Sequence, residues 1–156
     1  MILILGLAVV ASNASAQGGT VVKLDPASSA VDVGGTVVVN VVITNVRNLA
    51  GAEVHILYDP FVVEAQIEPG GFPAPDQVFQ SSATGGRIDF AITQMPQQHQ
   101  PVSGSGVLLK ITLKGLVAGT SVLHVTSAVL SDGSGALIPS TTLEGSVTVI
   151  LGSISG

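Results

Sequence analysis

Along most of the chain, apolar and polar residues alternate with the two-residue period of a half-buried β-strand. Arg87–Thr93 shows it cleanly: Ile88, Phe90 and Ile92 share one face, and Arg87, Asp89 and Ala91 share the other. Residues 51–58 do the same, with Val54, Ile56 and Tyr58 inward and Glu53, His55 and Leu57 outward. In residues 107–114 the rule buries Val107, Leu109, Ile111 and Leu113, and it exposes Leu108, Lys110, Thr112 and Lys114. Turn signals recur every eight to twelve residues. Thr20–Asp25 and 30–33 read as one strand interrupted at Pro26, and Gly34-Gly35 turns the chain into 36–45. Asp59-Pro60 closes 51–58, after which 62–68 runs to Pro69-Gly70-Gly71. A short edge strand is expected at 77–81 inside a Pro-bearing loop. Residues 121–129 and 143–150, joined through a turn at 132–135, bring the count to about nine strands. An apolar 3.6-residue period persists nowhere, so the pattern predicts an all-β sandwich without a helix of several turns.

Composition agrees with that pattern. Val, Ile and Thr make up 46 of 156 residues, and 19 glycines supply turns. The length suits one domain. Charged residues are only 10%, against about 25% in ordinary soluble domains, so uncharged or apolar surface must be abundant. Five scattered basic residues and a net charge of −5 argue against nucleic acid. With no cysteine there is no disulfide and no thiolate metal site. Residues 1–16 form a separate unit. The apolar run contributed by Ile2, Leu3, Ile4, Leu5, Leu7, Val9 and Val10 is too short to span a membrane. Ala14-Ser15-Ala16 before Gln17 has the small-x-small form of a signal-peptidase site, which implies export and a mature domain over 17–156. If retained, the same run would serve as a strand donated to a neighbouring copy.

Little in the sequence supports catalysis. Asp59, Glu64 and Glu68 lie around a Pro turn and one strand, with no aromatic set to hold a sugar between them, and no Ser sits in a G-x-S-x-G elbow. His55 and His124 on neighbouring strands could approach each other, with Glu53 beside them, but unpartnered sheet histidines are the ordinary case. His99, in a Gln/Pro loop, reads as solvated. The oxygen-rich turn at 132–135 is explained by its turn geometry alone, and calcium there has no further support. No cofactor or metal is expected.

Several segments together resemble the cohesin domain, the β-sandwich module of scaffoldins and related surface proteins. They are LAGAEVHILYDPFVVEAQIEPG (49–70), GRIDFAIT (86–93), VSGSGVLLKITLKGLVAGTSVLHV (102–125), LSDGSGALIP (130–139) and the closing VTV (147–149). The resemblance implies a nine-stranded jelly-roll sandwich related to carbohydrate-binding modules. It also implies a binding face on the family's eighth, third, sixth and fifth strands, where cohesins hold a dockerin, a small calcium-binding partner. Mapped onto residues 121–128, 51–58, 87–93 and 77–81, that face projects Glu53, His55, Leu57, Arg87, Asp89, Ala91 and His124. Where the best-known dockerin-binding members carry an Asn and an Asp on the third strand, this chain has Gly51 and Glu53. The calcium loop D-x-[DN]-x-[DN]-G is absent, so no dockerin is encoded in this chain.

The sequence thus points to a secreted, extracellular or cell-surface, non-enzymatic module for protein–protein assembly. Its partner is either a dockerin-like protein or copies of itself in a filament or surface layer. A carbohydrate-binding role is the weakest of the three readings. Glycan-binding sheets stack aromatic rings on sugars, and Tyr58, Phe61, Phe72, Phe79 and Phe90 do not form a strip by alternation.

Overall fold

The computed structural model describes residues 19–152. Eleven strands run in the order β1 (Thr20–Asp25), β2 (Ser28–Asp32), β3 (Thr36–Leu57), β4 (Val63–Pro69), β5 (Gln77–Thr84), β6 (Arg87–Thr93), β7 (Val102–Gly115), β8 (Gly119–Asp132), β9 (Leu137–Ile138), β10 (Ser140–Leu143) and β11 (Gly145–Ile150). They form two curled sheets that share β3. One runs β10-β1-β3-β7-β4, and the other runs β5-β6-β3-β8-β11-β2, with β9 added to β8. A single apolar core lies between them. Val39, Val41, Ile43, Ile111 and Leu113 enter it from the first sheet, and Val54, Ile56, Phe90, Leu123 and Val147 enter it from the second. The expected all-β sandwich is what the chain forms.

At three of the places where the chain changes sheet the local cause is plain. Pro26, which lacks an N–H for the ladder, separates β1 from β2. The sequence pattern made these one interrupted strand. Instead β1 pairs antiparallel with β3 in one sheet, while β2 runs parallel to β11 in the other. Glu144 divides the expected strand 143–150 in the same way: β10 lies parallel to β1, and β11 pairs with β8 and β2. The third change occurs inside β3. Two strands were expected, at 36–45 and 51–58, but 22 residues continue as one strand. Asn45 (φ 57°) and Asn48 (φ 56°) turn the backbone through the left-handed region, which Asn tolerates better than most residues. Their N–H groups donate to Ser105 Oγ (3.1 Å) and Ser103 Oγ (3.0 Å) on β7, which replace carbonyl partners in the ladder. Before this bend β3 lies between β1 and β7, and after it between β6 and β8.

One inside–outside assignment is overturned. Leu108, expected on the surface, is fully buried like Leu109. On β3, Val41 pairs with Leu109 and Val42 with Val107, so Leu108 is an extra, bulged residue between them. Beyond such a bulge the two faces of a strand exchange roles. Tyr58 points inward as expected.

Candidate functional site

The outer face of β5, β6, β3 and β8 is a grid whose rows are set by register. Across β6, β3 and β8 the rows read Thr93–Gly51–Ser131, Ala91–Glu53–Val129, Asp89–His55–Ser127 and Arg87–Leu57–His124. On the far side of β6, β5 adds Gln77, Gln80, Ser82 and Thr84 to the same four rows. The partners of Gly51, Ser131 and Thr93, approach so closely that a Cβ at Gly51 would lie 2.6 Å from Ser131 Oγ. The grid therefore dips at this end into a shallow depression bordered by Phe79, Glu53, Ala91 and Val129.

Four charged side chains meet at the centre of the face. Arg87 Nε donates to both carboxylate oxygens of Asp89, at 2.9 and 3.0 Å. His55 places Nδ1 at 2.5 Å from Asp89 Oδ1 and Nε2 at 2.6 Å from Glu53 Oε2. With an acceptor at each ring nitrogen, the imidazolium is favoured, and these hydrogen bonds to Glu53 and Asp89 raise the His55 pKa above its usual 6.5. Arg87, followed by His55, lowers that of Asp89 below 3.8. The two shifts act on stability at opposite ends of the pH scale. The His55 contribution is fully present below pH 6.5 and disappears as pH rises through the raised native value. The Asp89 contribution is present above pH 3.8 and disappears as pH falls through the lowered one. Urea midpoints measured from pH 4.5 to 8.5 should therefore decline on the alkaline side, and His55→Gln should flatten that decline.

The structure brings Glu53, His55, Asp89 and Arg87 together as one row of contacts, with Leu57 44% exposed beside them. Ala91 holds its expected place on the outer face, where it lines the depression and is only 8% exposed. One expectation fails. His55 and His124 share the face but do not meet: His124 lies opposite Leu57, one row away, and pairs with Glu144 at the β10–β11 junction. His99 is also partnered, through Nδ1 to Asp76 Oδ2 at 2.8 Å. With the N–H of Met95 as the larger cause, that contact holds the Asp76 carboxyl below its usual range. Asp132 is satisfied within its own turn, where Oδ1 accepts from the N–H groups of Ser134 and Ala136 and from Ser134 Oγ. No cluster of three metal-ligating side chains occurs among the described residues. The possible donor-strand residues Ile2, Leu3, Ile4, Leu5, Leu7, Val9 and Val10 lie outside the described residues.

Sequence reasoning missed two apolar members of the face, each displaced by a bulge. Between His55↔Ser127 and Ile56↔Val125 the extra residue is Thr126. Strict alternation from His124 would expose Ala128, but the bulge packs Ala128 against the core and leaves Val129 41% exposed. A second bulge, between Val78 and Gln80, leaves Phe79 unpaired and 67% exposed at the rim of the depression.

The family model for the cohesin domain matches residues 20–149. The chain belongs to the cohesin family. No curated protein sequence matches it. Among solved structures, this cohesin is similar to a non-cellulosomal cohesin from the archaeon Archaeoglobus fulgidus (17% identity, 85% of this chain and 92% of that one, TM-score 0.71). It is also similar to a type I cohesin of ScaB from Pseudobacteroides cellulosolvens (22% identity, 87% and 95%, TM-score 0.70). A third likeness is to a type I cohesin–dockerin complex from Clostridium thermocellum (16% identity, 85% and 100%, TM-score 0.72). At such identities the likeness in structure concerns the fold, and contact residues must be argued from this cohesin's own face.

Proposed function

We propose that this cohesin is a non-enzymatic docking module that holds a dockerin on the outer face of β8, β3, β6 and β5, outside the cell. The observation that carries the reading is the face itself. A central row of charged side chains, from Arg87 to Glu53, has exposed apolar residues on either side: Leu57 at one end, Val129 and Phe79 at the other. Interfaces commonly combine a few apolar anchors with polar groups that fix register. Placement outside the cell rests on the leader-like residues 1–16.

Calorimetry of the chain with a panel of calcium-loaded dockerins tests the proposal. At least one should bind, lose binding when EDTA strips its calcium, and bind Val129→Asp at least about tenfold more weakly. A panel that shows no heat with the native chain would refute it.

A second reading, a self-assembling subunit of a filament or surface layer, draws on β5. Among the described residues this strand pairs only with β6, and Val78 and Phe79 are exposed along it. An open apolar edge is suited to accepting a strand. Light scattering of the chain with and without residues 1–16 distinguishes them: polymers only from the longer form would favour strand donation.

A further inference from the structure

His55 lies at the middle of the charged row, with a carboxylate at each ring nitrogen. Building on the docking role above, we propose that His55 gates the charge this face shows to its partner. As an imidazolium it clamps Glu53 to the sheet, and on losing its proton it releases Glu53 to pair with a Lys or Arg side chain of the dockerin.

Both contacts of the ring are to carboxylate oxygens, at 2.5 and 2.6 Å, so satisfying both requires two N–H groups. A neutral imidazole has one. Asp89 keeps it, for two reasons. Its side chain is 16% exposed against 46% for Glu53, and the Arg87 guanidinium holds both of its oxygens in place. Nε2 then presents a lone pair to Glu53 Oε2, and the more exposed carboxylate turns away into solvent.

Among the described residues, the surroundings of His55 hold no other group able to take over this role. From β6, Asp89 and Arg87 face the ring, and from β3 itself, Glu53. On β8, Ser127 lies opposite and Thr126 Oγ1 donates to the His55 carbonyl, and neither titrates in this range. His124 with Glu144 lies one row further along, and β5 contributes Ser82 opposite Asp89. With the imidazolium, Arg87 and His55 balance Asp89 and Glu53. Without it the row carries one net negative charge, and among the described residues the free carboxylate has no other cationic partner.

Because the two equilibria are linked, a cationic partner that engages Glu53 also drives the proton off His55. Affinity should therefore rise with pH, by no more than tenfold per pH unit for one proton.

Two measurements decide the matter. In the free protein, imidazole nitrogen and Glu53 carboxyl resonances followed from pH 5 to 9 should move with one midpoint, and His55→Gln should abolish the Glu53 movement. A Glu53 signal indifferent to the His55 titration would overturn the gate whether or not any dockerin binds. With the tightest dockerin of the panel, Kd should fall about fivefold or more between pH 6 and 8.5. His55→Gln and Glu53→Gln should each be flat, measured against a dockerin variant that corrects for the partner's own titration. A native profile as flat as theirs, with binding intact, would overturn the gate and leave the docking role standing. If no dockerin binds, the docking role falls and the partner half of the proposal falls with it, while the resonances still decide the clamp.

Discussion

Replacing Phe90 with alanine is expected to lower the unfolding free energy by about 3–5 kcal/mol, read as a shift of the urea midpoint with the slope unchanged. Phe90 is fully buried and stands first by volume among the fully buried side chains. It sits on β6 opposite Val54, held between the two sheets. The chain has only four phenylalanines and no tryptophan. Phe61 and Phe79 are largely exposed, and the remaining core is aliphatic apart from Tyr58 and the partly buried Phe72. Branched side chains fixed by strand pairing have little room to move into the space a lost ring leaves. A loss below about 1 kcal/mol would mean that the sheets close over the gap.

Asp89→Ala should produce the second large effect, a loss of about 1–3 kcal/mol near neutral pH, because it leaves the mostly buried His55 Nδ1 without its acceptor, whereas the exposed Arg87 can turn to water. Asp89 is the shared acceptor of the row: Arg87 Nε and His55 Nδ1 both lie on it within 3.0 Å. Removing it also removes one of the two contacts that hold the proton on His55, so the imidazole pKa should fall toward 6.5 in an NMR titration. A native-like midpoint together with an unmoved His55 titration would show that the Asp89 contacts carry no weight in solution.

Alternation made much of this molecule legible. β1 and β6 have the predicted bounds, and the outward positions of Glu53, His55, Arg87 and Asp89 follow from a period of two. That these four touch depends on the β3–β6 register, which sets His55 opposite Asp89. No local feature of either strand specifies that pairing. Bulges account for the apolar errors. At Leu108, Phe79 and Thr126 one extra residue reverses the parity of the strand beyond it, and the cause lies in the partner strand. The continuity of β3 escaped for another reason. Asn45 and Asn48 are ordinary turn residues, and the serines of β7 waiting across the bend help keep the strand going.

That shared strand bears on how the domain comes apart. Loss of either sheet would strip hydrogen-bond partners from half of β3 while the other half stayed paired. The core residues of β3, from Val39 to Ile56, line the same interior and would be bared to water together. Neither half can fray independently without exposing what supports the other, so unfolding should be all-or-none. Hydrogen exchange should then report a common opening free energy for amides on both sides of the Asn45–Asn48 bend, making β3 the cooperative spine of the fold.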